Sequence, residues 1–294
     1  MALWQRYLRP TKLDNALSEL IAAAPESRVI AGGTDLLLDM QQGREAPVGT
    51  LVDVSAIDEL AGIYLEDDQL VIGAAVTHYN IITDEKVIKH AQCVAEACSL
   101  IGGPQVRNVA TLGGNVAHGL PAANGTISLL AMGAEAEIAS SEGREWHQLE
   151  DLFTGPGETA FDRGRQVLVR FRLPLDQERT GSAFARVMRP QGVAIAILNM
   201  AAWLKVEATG EISQARIAVG PTGPRPRRAR QTEQYLIGKK PENEIQDELH
   251  KLILQESSLR TSRHRATKKY RQQLVRVLVE RTLPVAYERA LANN

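Results

Sequence analysis

Ala31-Gly32-Gly33-Thr34-Asp35 and Thr111-Leu112-Gly113-Gly114-Asn115 are the two stretches on which the reading of this 294-residue chain turns. The first lies between a strand-like run, Arg28-Val29-Ile30-Ala31, and the apolar run Leu36-Leu37-Leu38. The second closes a Gly/Pro/Asn-rich segment and precedes Pro121. Paired glycines tolerate positive φ and leave backbone N–H groups free to converge on one anion. Two such loops in one chain point to a ligand with more than one phosphate, held from two sides. Neither loop is a P-loop or a G-x-G-x-x-G fingerprint, because neither pattern occurs in the chain. Thr34 and Asp35 have the side chains to cap the segment that follows and orient the loop amides.

Working outward, Ile101–Asn124 makes a poor helix and a poor strand, and a loop of that length inside a domain is usually functional. Asn108 and Asn115 offer hydrogen bonds to backbone or ligand, and Arg107 is expected to pin its own loop through carbonyl contacts. Thr11–Ala24 reads as a helix capped by Thr11, with Leu13, Ala16, Leu17, Leu20, Ile21 and Ala24 on one face. Thr50–Val54 is a strand, Ile63–Leu65 and Leu70–Ile72 a hairpin, and Thr77 caps a short helix. Lys86–Leu100 and Pro121–Met132 read as helices and Ala136–Ala139 as a strand. A strand at Gln166–Leu173 ends at Pro174, and the charged Asp176–Thr180 marks a domain boundary. Beyond it come strands at Ala194–Val206 and Ile212–Val219. Helices follow at Arg228–Ile237, at Glu242–Leu254 and from Arg265 to about Thr282, where Pro284 is expected to stop the last one. The interleaving predicts an α+β chain without strict βαβ alternation.

Composition narrows the function classes. Hydrophobic residues make up 44% and charged residues 23%, ordinary for a globular protein. No apolar window is long enough to cross a bilayer, and the N-terminus does not read as a signal peptide. The net charge of −1 hides an asymmetry: residues 1–180 hold 14 Lys/Arg against 25 Asp/Glu, and residues 181–294 hold 20 against 10. That segregation suits either mutual attraction of two domains or the steering of an acidic or phosphate-bearing partner. Cys93 and Cys98 are the only cysteines, and the six histidines show no metal spacing, so no metal site is expected. His118 has no acid near it in sequence and reads as a structural histidine. The basic stretch Arg260–Arg271 reads as a solvated helix face rather than a nucleic-acid contact.

At the two glycine loops the chain resembles the FAD-binding (medium) subunit of the molybdenum hydroxylases, closest to the bacterial xanthine dehydrogenases and also similar to carbon monoxide dehydrogenases. That family pairs A-G-G-[TH]-[DS]-L with Q-[IV]-R-N-x-[AG]-T-[ILY]-G-G-N, matched here by Ala31–Leu36 and Gln105–Asn115. Ile72–His78, Phe153–Gly157, Val167–Pro174 and Arg265–Arg271 resemble further family segments. The resemblance implies an α+β architecture: a two-part FAD-binding fold (PCMH-type) over residues 1–55 and 56–177, then a C-terminal α+β domain with a sheet and helices over 178–294. It implies FAD extended in a cleft, bound by Arg28, Val29 and Ile30, with its pyrophosphate on the amides of Ala31–Asp35 and Thr111–Asn115. Residues Gly32, Gly33 and Thr34 belong to the first cradle, and Leu112, Gly113 and Gly114 to the second. Leu168 matches a residue packing near the isoalloxazine ring. Asn124 stands where the family often has Asp, on the ribityl–phosphate side. Arg186 is the cation nearest to a family Lys, and Val193 replaces a usual acidic residue.

The function so implied is electron transfer inside a cytoplasmic heterotrimeric oxidoreductase, with no catalytic residue of its own. A large molybdopterin-binding subunit and a small two-[2Fe-2S] subunit are the expected partners, and NAD+ or another acceptor takes the electrons. Neither nucleic acid nor a membrane is expected to bind. A stand-alone flavoprotein oxidase and an interaction subunit that has lost FAD are the alternatives.

Overall fold

The computed structural model describes residues 2–189, 195–241, 243–263 and 265–293. Val193 and His264 therefore lie outside the described residues.

The chain opens as a small α/β unit. Strand β1 (Trp4–Leu8), helix α1 (Leu13–Ala22), β2 (Ser27–Ile30), α2 (Leu36–Gln41) and β3 (Val48–Asp53) form a parallel sheet in the order β1-β3-β2. Pairing of Ile30 with Asp53 sets the register that delivers Ala31 to the sheet edge. Helix α1 buries Leu13, Ala16, Leu17 and Leu20 of the expected face, but Ile21 is exposed and Ala24 lies past the helix end at Ala22. Its N-cap is Lys12 rather than Thr11, and no side chain caps it.

A five-stranded antiparallel sheet follows, ordered β4-β5-β10-β6-β7. Its strands are β4 (Ile63–Glu66), β5 (Gln69–Gly73), β6 (Glu135–Ser140), β7 (Gly143–Gln148) and β10 (Val167–Pro174). A small hairpin of β8 (Phe153–Gly155) and β9 (Glu158–Thr159) precedes β10. Between β5 and β6 the chain forms α3 (His78–Thr83), α4 (Glu85–His90), α5 (Gln92–Ser99), α6 (Pro104–Arg107), α7 (Leu112–Ala117) and α8 (Asn124–Met132). Thr77 caps α3 as expected, accepting the Asn80 amide. The single helix expected over Lys86–Leu100 is two, broken at Ala91, which leaves helical geometry while fully buried. Asp84 caps the first piece, and Ser182 Oγ accepts the Cys93 amide of the second.

The segment expected to be a long loop contains two short helices. Pro104 starts α6 without the loss of a needed donor, and Thr111 caps α7 by accepting the Gly114 amide at 3.0 Å. Arg107 does hold its own loop, donating to the carbonyls of Ile101 (3.1 Å) and Gly102 (2.8 Å).

Helix α8 is buried on every side. It lies between the five-stranded sheet and a C-terminal antiparallel sheet of β11 (Thr180–Val187), β12 (Leu198–Val206) and β13 (Ile212–Gly220). That second sheet is covered on both faces, which explains the near-continuous apolar run of β12. Ala201 and Trp203 face the core shared with α5 and α8, while Met200, Ala202 and Leu204 face the core under α9 (Arg230–Leu236), α10 (Asn243–Gln255) and α11 (Lys268–Ala292). Helix α11 runs through Pro284 instead of ending before it. A proline inside a helix costs roughly 3 kcal/mol. Burial of Leu283, Ala286 and Ala290 against β11 and β12 continues the helix past it, and Arg289 ties it to Ser182 O at 2.6 Å and Glu96 Oε1 at 2.5 Å. Among the described residues, no helix is long and apolar enough to cross a membrane.

Candidate functional site

One cleft of about 460 Å3 opens where these parts meet, within the size range of small-molecule sites. Its lining draws on all parts of the chain: Arg28–Asp35 from the first unit, Thr111, Gly114 and Asn115 from α7, Asn124 from α8, and Arg186 from β11.

The two glycine pairs do different work. Gly33 has φ +66°, which favours glycine, and turns the chain from β2 into α2. Gly32 is a packing glycine: a Cβ there would stand 2.0 Å from the Val109 carbonyl oxygen. The missing side chain lets the first loop lie directly on the segment leading into the second motif. Among the described residues, the amides of Gly32, Gly33, Thr34 and Asp35 donate to no protein acceptor. Asp35 occupies the N-cap of α2 but makes no side-chain capping bond, contrary to the sequence reading.

In the second motif four of the five amides are already spent. Leu112 N–H donates to Val76 O at 3.0 Å, Gly113 N–H to Ala74 O at 2.8 Å, and Asn115 N–H to Thr111 O at 3.0 Å. A Cβ on Gly113 would sit 2.6 Å from the Ala74 carbonyl oxygen, so this glycine too serves a close backbone contact. Leu112 and Gly113 are buried and do not line the cleft, nor does Leu168, which packs in the core between the sheets. Asn115 ties α7 to α8, its Oδ1 accepting the Thr126 amide at 3.1 Å. The second motif is therefore mostly a wall: among the described residues its Thr111 amide alone donates to no acceptor, whereas the first loop presents four such donors.

Charge surrounds that loop. Arg28 donates to Glu45 at 2.9 Å, and its buried Nε has no partner. Arg163 shares the same glutamate at 3.7 Å and donates to Ala117 O at 3.2 Å. His118 stands between two carboxylates that the sequence keeps far from it: Nδ1 lies 3.4 Å from Asp35 and Nε2 3.2 Å from Asp39. The Asp35 hydrogen bond pushes the His118 pKa up, and the same contact holds the Asp35 carboxyl below its usual value. His78 behaves oppositely. Burial pushes its pKa down to about 4, leaving a neutral ring in the cleft wall.

Asn124 is buried and committed: its Oδ1 accepts from Asn199 Nδ2 at 2.9 Å, and its own Nδ2 donates to Ala97 O at 3.4 Å. Arg186 donates to the Met188 sulfur at 2.9 Å and has no ion-pair partner among the described residues.

The family described as "FAD binding domain in molybdopterin dehydrogenase" matches residues 3–176, more than half of the chain. The chain belongs to this family. A second family, "CO dehydrogenase flavoprotein C-terminal domain", matches residues 182–285. The xanthine dehydrogenase FAD-binding subunit of Escherichia coli O157:H7 is 31% identical over 282 residues, 95% of each chain. The nicotine 6-hydroxylase medium subunit of Paenarthrobacter nicotinovorans is 31% identical over 279 residues, again 95% of each. A solved carbon monoxide dehydrogenase of Hydrogenophaga pseudoflava has a chain that superimposes with a TM-score of 0.91 at 27% identity, covering 97% of this chain and 98% of its own. Quinoline 2-oxidoreductase of Pseudomonas putida 86 gives 0.89 at 28%, with the same coverage.

As a member of the molybdopterin dehydrogenase flavoproteins, the chain binds FAD and is the medium subunit of an oxidoreductase of the molybdenum hydroxylase type. The cleft fits that cofactor: free loop amides and two arginines sharing one glutamate suit a diphosphate. Sequence reasoning missed Arg163, Glu45 and His78 in this lining. Arg163 sits in a turn without a motif, and only the fold brings it to Glu45. His78, by contrast, ends a segment that already resembled the family.

Proposed function

We propose that this chain carries electrons from iron–sulfur clusters in a small two-[2Fe-2S] partner subunit to NAD+ or another acceptor, in a complex whose large subunit binds molybdopterin. The observation that carries this reading is the cleft itself, with unpaired amides on Gly32–Asp35 facing a wall made by the second motif. When bound, FAD supplies the electron-carrying chemistry. The protein's part is to hold and orient it. In our reading Gly32–Asp35 receive the diphosphate, with Arg28 and Arg163 balancing its charge. Thr111, Gly114, Asn115 and Asn124 wall the ribityl side, and Arg186 lies toward the ring. Leu112, Gly113 and Leu168 act from behind the lining by fixing the backbone that forms it. We divide the chain accordingly into 1–55, 56–177 and 178–294, the first two parts carrying the cofactor and the third closing over it.

Cys93 and Cys98 are buried free thiols, in keeping with a reducing compartment such as the cytoplasm. Co-expression with the large and small subunits, followed by affinity purification, a visible spectrum and metal analysis, tests the proposal. Flavin bands together with molybdenum and iron in stoichiometric partner chains support it. A chain that purifies alone, yellow but reduced directly by an organic substrate, contradicts it.

A further inference from the structure

Two straps join the end of α7 to the first loop and the helix after it, and all their residues line the cleft. One is Arg163, which spans from Ala117 O at 3.2 Å to Glu45 at 3.7 Å. The other is His118, the C-cap of α7. Its Nδ1 lies 3.4 Å from Asp35 Oδ2 and its Nε2 3.2 Å from Asp39 Oδ2. Asp35 is the N-cap of α2 and Asp39 stands one turn further on, so a single imidazole fastens the second motif's helix to the first loop.

The geometry specifies the charge on that ring. A neutral imidazole has one N–H, and only the imidazolium donates from both nitrogens at once. A ring held between two carboxylates therefore suits the charged form, and the Asp35 contact strengthens its hold on the proton. The two carboxylates are not equivalent. Asp39 also receives Arg44 Nε at 2.9 Å, whereas Asp35 has no second ion-pair partner among the described residues. Asp35 also carries one of the four free amides of the first loop. Its carboxylate thus stands on a residue that presents a donor to an anion. Two negative groups placed together repel, and a cation beside one of them relieves the repulsion.

The other groups around the ring hold their charge from weakly acid to alkaline pH. They are Arg44, Arg28 of β2, Glu45, Arg163 and, from β9, Glu158, whose carboxylate lies beside Gly155. Helix α8 brings no charged residue, and Arg170 and Arg172 of β10 are paired with Glu137 and Glu135. His78, at the start of α3, is neutral throughout that range.

We propose that His118 is a positioning residue for the cofactor: its ring ties the diphosphate loop to the second motif and its charge offsets Asp35, so that FAD is held more tightly on the acid side of neutrality than on the alkaline side. This rests on the reading of Gly32–Asp35 as the loop that receives the diphosphate.

The test uses the complete complex, freed of FAD, and follows the return of FAD by flavin fluorescence at about pH 6 and about pH 9, either side of the ordinary histidine range. The sign follows from the raised proton affinity: the charged strap is complete below about 6.5 and lost as pH rises through the folded value. Wild type should therefore bind FAD about fivefold or more weakly at the higher pH. His118→Gln keeps a hydrogen-bonding side chain without the charge, and should bind at both pH values as weakly as the wild type does at the higher one. Asp35→Asn removes the carboxylate left without its cation, and should bind FAD more tightly than the wild type at the higher pH. A wild type whose affinity is the same at both pH values overturns the proposal, as does a His118→Gln complex that keeps the wild-type pH dependence. A purely structural histidine would lower affinity equally at both. Gly32→Ala, measured at the lower pH, separates this failure from that of the underlying reading. A fall of about a hundredfold keeps the diphosphate on the first loop and discards only the role of His118, whereas affinity within about threefold of wild type discards the loop assignment itself.

Discussion

Gly32→Ala bears most directly on how the cleft is built. The added Cβ would lie 2.0 Å from Val109 O, 2.7 Å from Val109 C and 2.8 Å from Ala110 Cα, all backbone atoms that cannot rotate away. Ordinary contact begins near 3.4 Å, so the loop must retreat by about 1.4 Å. Displacement on that scale takes an N–H from hydrogen-bond distance out of range of its acceptor. A hydrogen bond to a charged group contributes about 1.5–3 kcal/mol, so losing two costs about 3 kcal/mol or more. FAD affinity should then fall at least about a hundredfold. Stability should fall by about 1–3 kcal/mol, as for other overpacked sites. The assay removes FAD from the purified complex and follows its return by flavin fluorescence. Gly43→Ala is the control: φ there is +69°, but nothing lies within 4 Å of the added Cβ. It should cost stability and leave FAD affinity intact. A Gly32→Ala protein that takes up FAD within threefold of wild type would refute the packing account.

Three further outcomes follow from the charged and polar groups. His118 has a raised pKa in the folded protein, so its contribution is complete below about pH 6.5 and lost as pH rises through the folded value. Thermal unfolding of His118→Gln should therefore lose, relative to wild type, on the order of 1 kcal/mol near pH 6 and progressively less toward alkaline pH; a constant difference across that range would count against the pair with Asp35. Asn124→Asp places a carboxylate oxygen against Ala97 O in a buried site, and denaturant unfolding should show a loss of about 2 kcal/mol or more at pH 8, smaller at pH 5. Equal loss at both pH values would show that charge is not the cause. Burial raises the Asp176 carboxyl to about 6 while Trp203 donates to it at 3.0 Å. A raised carboxyl pKa means stability is full below pH 3.8 and lost as pH rises through about 6. Asp176→Asn should thus gain about 2 kcal/mol at pH 8 and nothing at pH 3.5, measured by the same unfolding curves.

Much of the fold was legible because local signals and burial agree. Periodicity marked most of the buried face of α1, turn residues marked the β4–β5 hairpin, and the apolar run of β12 marked a strand. Misreadings arose where tertiary packing overrides a local rule. Pro284 does not stop α11 because its neighbours are buried on β11 and β12, and Ala91 breaks a helix with no breaker in the sequence. Strands β1 and β7 escaped notice because both are mostly exposed, with polar residues interleaved.

The site divides the same way. Both glycine motifs were visible, but a motif does not say whether its amides are free. That depends on Val76 and Ala74, which supply acceptors to the second motif from another part of the chain. His118 looked structural for want of nearby acids, and the fold sets Asp35 and Asp39 beside it. Arg271 looked solvated, and its burial follows from its reach across to Ile197.

The most direct measurement is amide hydrogen exchange on the complex with and without FAD, read at the two glycine loops. Exchange at Gly32–Asp35 should be fast without FAD and strongly slowed with it, while Leu112–Asn115 should be protected equally in both states. Slowing confined to Leu112–Asn115, with Gly32–Asp35 unchanged, would contradict the assignment of the diphosphate to the first loop.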